Sequence, residues 1–487
     1  MIPAPALEIA VLIWGLILLL AEAFADQTDR RGFATAGILG LLAVLVASFF
    51  LAPPPGATTT GFWSFYTADP LAIFFKRFAL VTTIVVLIMA VDYAPAIRMG
   101  VPGLNPQGGL GEFFILPIFT CAGLMWMASA IDFVMIFVSL ELVAISFYVL
   151  VAFNRRNATS VEAGVKYLVL SALSTAFLVY GIAWIFGATG ETNLSRITAA
   201  LQNPAIERSG ALFGAVLVLV ALGFKIAAVP FQIWVPDVYQ GAPTPVTAYL
   251  SVGSKAAGFV VLLRVLRPFL ILPHMQRLLV LIAMLTLLYG NLAALPQTNL
   301  KRLLAYSSIA HAGYLLIGIA CLDGDAVVFY LVAYFLMTLL SFAVLVIVAQ
   351  RTGEEIGDFD GLAHRSPLLA FAMLIGMVSL AGLPFTAGFF GKFFIFYSAI
   401  AQRQVPLVVV GVITVACGFY YYLKVVRAMY WQPARSSGTD IPLNGLSRVA
   451  IVAMIAATII LGVYPQPILR ALKPPAAQNM AARSTSR

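Results

Sequence analysis

The sequence predicts an all-α polytopic membrane protein of about fourteen transmembrane helices, with two inverted five-helix repeats and two broken helices. Three observations carry this fold class. Of 487 residues, 62% are hydrophobic and 10% charged, with mean hydropathy +0.99; a soluble globular chain has about 45–50% apolar and about 25% charged residues. The apolar residues fall in runs of about 20, the length a helix needs to cross a hydrocarbon core about 30 Å thick. The runs do not alternate in polarity, which excludes a membrane barrel, and lipid tolerates no other spanning backbone than a helix or a closed barrel.

The runs lie near residues 4–24, 33–52, 71–92, 112–130, 132–152, 162–187, 210–236, 245–266, 275–296, 302–321, 325–349, 367–400, 406–430 and 446–468. The first has no basic region ahead of it and reads as a span rather than a cleaved leader. The third carries Lys76 and Arg77 near its start, where long side chains can snorkel to the interface. The fifth carries Glu141 in "FVSLELVAISFYVL", read as the one deep carboxylate, and the sixth carries Lys166 just inside its edge. The seventh and twelfth are unusually long and contain Pro230 with Lys225 and Pro384 with Lys392; the eighth holds Lys255 and the tenth His311. The longer loops, 92–111, 188–209 and 350–366, are rich in Gly, Pro, Asn or charge, and none leaves room for a soluble domain. The expected divisions are an N-terminal three-helix segment (1–111), two five-helix half-channels (112–270 and 271–432), and a C-terminal helix with its tail (433–487).

The 29 Lys and Arg residues are uneven. Thirteen lie in loops after odd-numbered runs and six in loops after even-numbered ones. Basic residues stay on the cytoplasmic side, so both termini are expected on the periplasmic side of a bacterial inner membrane. The four basic residues of the tail run mildly against this. The net charge of +9 is spread over short loops, which is topology rather than a nucleic-acid footprint. Cys121, Cys321 and Cys417 are far apart and make no CxxC or Cys/His spacing, so no iron–sulfur or zinc site is expected. No GxGxxG or GxxxxGK[ST] motif argues for a nucleotide.

A charge at the bilayer centre costs from about 2.5 to over 10 kcal/mol, so Lys225, Lys255, Lys392 and Glu141 must face protein or water. Static ion pairs are one reading, but three deep lysines, with Lys166 at the margin, face one deep carboxylate. Desolvation disfavours the charged form of a lysine, and an approaching carboxylate restores it. A buried lysine with a movable counter-charge therefore takes up and releases a proton, the minimal chemistry of a relay. His311 has an intrinsic pKa suited to bridging such sites, or is simply hydrogen-bonded to a neighbour. Tyr306, Ser307 and Ser308 could extend a hydrogen-bonded path or merely pack helices. His274 and His364 lie near loops.

Proline breaks a helix, and broken helices at membrane depth line protein or water. "AAVPF" at 227–231 and "AGLPF" at 381–385 place their prolines 154 residues apart, each near a deep lysine. That spacing fits a five-helix unit repeated in opposite orientation, a transporter pattern; ordinary proline kinks are the plainer reading.

"GFKIAAVPFQIWVPDVYQGAPTPVTAYLS", "LKRLLAYSSIAHAGYLL" and "LPFTAGFFGKFFIF" resemble the antiporter-like membrane subunits of respiratory complex I, the proton-pumping NADH:quinone oxidoreductase, over essentially the whole chain. Within that family the sequence is most similar to the subunit N branch. The resemblance implies that Glu141 pairs with Lys225, that Lys166 modulates the pair, that Lys255 and His311 link two half-channels, and that Lys392 stands at an exit or a subunit boundary. It implies no redox centre, cofactor or metal in this chain: NADH, FMN, iron–sulfur clusters and quinone would sit in partner subunits. Antiporter-like subunit M, small subunit K and lipid would be its neighbours. A multisubunit cation/proton antiporter or membrane-bound hydrogenase subunit, a non-conducting scaffold, and a single-chain solute transporter are the competing readings.

Overall fold

The computed structural model describes residues 3–24, 31–51, 64–100, 110–203, 206, 208–269, 273–434, 441 and 443–471. Arg30, Arg435 and most of the basic tail, used in the charge count above, lie outside the described residues. The helices are α1 (Ala6–Phe24), α2 (Arg31–Ala47), α3 (Pro70–Gly100), α4 (Gly111–Ser129), α5 (Phe133–Val151), α6 (Ala158–Thr189), α7 (Leu194–Gln202), α8 (Arg208–Ile226), α9 (Val235–Gly241), α10 (Thr244–Tyr249), α11 (Lys255–Val265), α12 (Pro273–Ala294), α13 (Leu300–Ala320), α14 (Gly324–Thr352), α15 (Leu362–Arg365), α16 (Pro367–Ala381), α17 (Ala387–Ala401), α18 (Val405–Trp431), α19 (Gly445–Val463) and α20 (Gln466–Ala471). A π-helical turn, Leu250–Ser254, joins α10 to α11. Among the described residues no strand forms, only isolated bridges such as Tyr66–Ala130 and Asp132–Asn193 that pin loops together.

Thirteen stretches among the described residues are long and apolar enough to cross a membrane. The remaining expected run, the twelfth, is α16 and α17, divided at Gly382–Thr386. The seventh run ends at Ile226, and the chain resumes as α9 after an irregular stretch. Both breaks fall at the "VPF" and "LPF" sequences, as the prolines predict. α3, α6 and α14 outrun their predicted limits, because hydropathy ends at the membrane edge while caps end helices: Asn157 Oδ1 accepts from Thr159 N at 3.0 Å to start α6.

α13 and α14 form the centre. Every residue of α13 except Arg302 is buried. α1, α2, α6 and α18 are outer helices that expose one apolar face. Glycines let the helices approach. Gly181 of α6 and Gly214 of α8 face each other so closely that a Cβ on either would lie 2.7 or 2.6 Å from the other's carbonyl oxygen, the small-residue packing that membrane helices use.

Two expectations about charge are corrected here. Lys76 does not snorkel: it is fully buried and paired with Glu8 at 2.8 Å. Glu141 is accordingly not the one deep carboxylate, because Glu8 is buried completely and Glu22 almost so. A charge near a span end faces inward when the neighbouring helix offers a counter-charge, which a single run cannot reveal.

Candidate functional site

The first break is built to satisfy its own backbone. α8 ends in Lys225–Ile226, and Ala227 takes a left-handed φ of +66°. The Phe224 carbonyl accepts from Trp234 Nε1 at 3.1 Å, and Val229 N donates to Thr286 Oγ1 of α12 at 3.0 Å. These bonds replace those the helix loses, the condition for irregular backbone at membrane depth. Lys225 is 4% exposed, and its Nζ makes no hydrogen bond within the protein. Its aliphatic stem lies against Gly258 of α11, one turn beyond Lys255; a Cβ there would stand 3.6 Å from Lys225 Cγ.

Glu141, on α5, is within electrostatic reach of Lys225, but no ion pair joins them. Instead Glu141 Oε1 accepts from Thr175 Oγ1 of α6 at 2.6 Å. The two groups thus act on each other without direct contact, with a hydroxyl holding the carboxylate.

Lys166 stands apart from this group. Its side chain is 42% exposed, and Nζ lies 2.8 Å from Glu162, one turn earlier, and 2.7 Å from Asp237 of α9. Asp237 also receives Arg302 of α13 at 3.2 Å. The Lys166 ammonium that donates to it, with Arg302 beyond, holds the Asp237 carboxyl below the usual range.

Lys255 begins α11 immediately after the π-helical turn, a feature common at functional sites. Its Nζ donates to the Ser308 carbonyl at 2.5 Å and to Ser308 Oγ. Ser308 Oγ also accepts from Tyr334 at 2.9 Å and lies 3.3 Å from the Tyr239 hydroxyl. One turn along α13, His311 has both ring nitrogens on tyrosines: Nδ1 is 2.7 Å from Tyr330 and Nε2 3.1 Å from Tyr422. The Tyr422 hydroxyl bonds in turn to Ser307. Lys392 completes the row on α17. It donates to the carbonyls of Leu380 and Ala381, and its Nζ lies 5.0 Å from the Tyr314 ring centre. The Tyr314 and His311 rings are 5.9 Å apart.

Ser307, Ser308, His311 and Tyr314 share one side of α13, because residues three and four apart on a helix are neighbours. α13 therefore brings Lys255, His311 and Lys392 into one buried row, beside which Lys225 packs. Tyr330, Tyr334, Tyr422 and Tyr239 escape the sequence reading, although the hydroxyl of each bonds to Ser308 or His311. The one signal was the pair Tyr330 and Tyr334, four apart in an otherwise apolar span. Lys301 also escapes it: placed in a loop by hydropathy, it is 2% exposed, bonds to the Ala242 carbonyl at 2.9 Å and pairs with Glu354 at 3.1 Å. Among the described residues no three His, Cys, Asp or Glu side chains cluster as metal ligands.

Residues 130–418 match the family described as NADH:quinone oxidoreductase/Mrp antiporter, TM. The NADH-quinone oxidoreductase subunit N of Trichlorobacter lovleyi is 39% identical over 474 residues, covering 95% of this chain and 94% of that one. A chain in the structure of respiratory complex I from Thermus thermophilus with bound aureothin superposes with TM-score 0.81 at 32% identity, over 96% of this chain and 99% of that one. A chain of the Mrp complex from Dietzia sp. shares the fold, with TM-score 0.81 at 21% identity over 96% of each chain. With relatives this similar over nearly their whole length, the chain belongs to the subunit N family of NADH-quinone oxidoreductase, antiporter-like membrane proteins.

Proposed function

We propose that this chain moves protons through half-buried Glu141 and the buried side chains of Lys225, Lys255, His311 and Lys392 as a membrane subunit of a proton-pumping NADH:quinone oxidoreductase. NADH, FMN, iron–sulfur clusters and quinone belong to partner subunits in this reading. Subunits M and K are its membrane neighbours, and its termini face the periplasm. Segments 112–270 and 271–432 act as inverted half-channels, and Lys166 tunes the first from its place beside Asp237.

The observation that carries the reading is the row along α13. A lysine ammonium donates to a serine hydroxyl, and hydroxyls both accept and donate. A neutral imidazole has one donor and one acceptor nitrogen, so a hydroxyl on each side of His311 lets a proton enter at one nitrogen and leave from the other. Uncoupling Glu141 from Lys225 is the state in which Lys225 gives up its proton; closing the pair is the state in which it takes one.

The test is proton pumping by the intact complex carrying Lys225→Ala, with assembly and NADH oxidation followed in parallel. Loss of pumping in an assembled complex is expected. Normal pumping would instead make Lys225 a tolerated residue at a structural kink and the chain a scaffold.

A further inference from the structure

A second buried charge cluster lies outside this row. Glu8 of α1 and Lys76 of α3 are both completely buried and 2.8 Å apart. The Tyr66 hydroxyl lies between them, accepting from Lys76 and donating to Glu8 Oε1 at 3.2 Å. Ser129, the last residue of α4, donates to the same oxygen at 3.5 Å. Glu8 Oε2 is buried without a hydrogen-bond partner. Beside the cluster, Arg264 at the end of α11 binds Asp69 through two bonds of 2.9 and 2.7 Å and donates to the Ala128 carbonyl at 3.0 Å. Asp69 is 38% exposed, so this flank opens at the end of the bundle.

We propose that Glu8 and Lys76, joined by Tyr66, form a further proton-holding site that connects the relay to the bundle end where α1 begins. The proposal rests on the proton-moving reading above. Two observations carry it. First, a buried ion pair is weak as a brace: desolvation consumes most of its attraction, and apolar residues of similar size commonly hold helices as well or better. This pair also leaves one carboxylate oxygen unbonded, which a structural brace gains nothing by doing. Second, a buried hydroxyl pair joins the Lys76 helix to the segment that leads into Lys255. Thr83 lies two turns along α3 from Lys76, about 10 Å by helical rise, and its hydroxyl is 2.7 Å from that of Tyr249. Tyr249 immediately precedes the π-helical turn that ends at Lys255. The site is therefore bracketed by the Lys255 helix on one side and by half-exposed Asp69 on the other.

The transfer balances through the tyrosine. A Lys76 N–H bond breaks as an O–H bond forms on Tyr66; the original Tyr66 O–H bond breaks as one forms on Glu8. Lys76 and Glu8 become neutral together and Tyr66 is unchanged. One proton leaving Glu8 toward Asp69, and one arriving at Lys76 from the relay side, restores the pair.

The experiment is pumping by inverted membrane vesicles containing the complete complex with Glu8→Gln, with Glu8→Asp, or with Glu8→Gln and Lys76→Met together, alongside Lys225→Ala. Removing a positioned proton carrier costs upward of about 100-fold in its step. Glu8→Gln is therefore expected to lower pumping at least about tenfold in an assembled complex, with partial recovery in Glu8→Asp. An assembled double variant that pumps normally overturns the proposal and makes the pair a brace. If the glutamine variants do not assemble, the infrared difference spectrum between resting and turning-over native complex decides. A carboxyl band that shifts in Glu8→Asp supports the proposal, and no band dependent on residue 8 overturns it. The Lys225→Ala arm separates the two readings: normal pumping there overturns the relay, whatever Glu8 does.

Discussion

The ammonium of Lys392 lies 2.8 Å from the carbonyl oxygen of Ala381, the last residue of α16. A side chain on the second half of a broken helix thus caps the first half. The last carbonyls of a helix lack partners and carry the negative end of its dipole. A cation there is both bound and oriented, so the break that costs α16 its next turn is also what holds Lys392 in place. At the other break the lysine lies on the first half, in the final turn of α8, and makes no such bond. The two lysines therefore sit in different environments despite similar flanking sequences.

Gly382 is predicted to be essential to that arrangement. Its φ of +91° is one that side chains rarely adopt, and a Cβ would stand 2.9 Å from Lys392 Cδ. Gly382→Ala should cost about 1–3 kcal/mol of local stability, displace Lys392 and impair pumping. Thermal disassembly of the purified complex and vesicle pumping check this; a variant matching native in both would show that Lys392 does not depend on the cap.

Removing one hydroxyl should interrupt the row without unfolding it. Tyr422→Phe deletes the bonds to His311 and Ser307, a net loss of about 1–3 kcal/mol when buried groups are left unpaired. The complex is expected to assemble and to pump at least about tenfold more slowly, as for loss of a proton-transfer partner. Tyr180→Phe, an exposed tyrosine of the outer helix α6, is the control and should leave pumping near native.

The link from Lys166 to Asp237 should respond to acid in a defined direction. Asp237 is held below its ordinary value chiefly by the bond from Lys166. Its contribution is present in full above the unfolded carboxylate value, about 3.9, and is lost as pH falls through the lower folded value. The difference in thermal stability between native and Asp237→Asn complexes should stay constant from pH 7 to about pH 4 and shrink below it. A difference already gone at pH 5 would mean that the bond does not form in solution.

Helix approach gives the fourth expectation. Gly214→Val places bulk where a Cβ alone would meet the Gly181 carbonyl at 2.6 Å. α6 and α8 must separate, carrying Thr175 and its bond to Glu141 away from Lys225. Overpacking of this kind costs about 1–3 kcal/mol, so reduced assembly is expected on native gels, with weaker pumping in whatever assembles. Gly187→Ala, where a Cβ would meet nothing within 4 Å, should behave as native.

The helical bundle and both broken segments were legible because hydropathy and proline act locally. Pro230 and Pro384 mark their breaks, each beside a deep lysine, whereas Pro117 lies inside the unbroken α4. The deep lysines were legible for a related reason: a charge inside an apolar run is costly wherever the run packs. Partners were not legible in the same way. Glu8, in the first turn of α1, drew no reading at all, while Lys76 looked like a snorkelling residue and Lys301 like a loop residue. Tyr422 gave no signal at all, since tyrosines are common in membrane helices and only its distance to His311 distinguishes it.

The sequence by itself determined that the chain crosses the membrane many times, where two of its helices break, and which cations must be kept from lipid. Transfer free energy adds residue by residue along a run, so these features need no knowledge of neighbours. Only the tertiary structure decided that Lys392 caps α16, that Lys255 reaches Ser308, that Lys166 turns to Asp237 and that Glu8 closes on Lys76. Electrostatic and hydrogen-bond energies depend on separations of a few ångströms between residues far apart in the chain, and those separations exist only once the helices have packed.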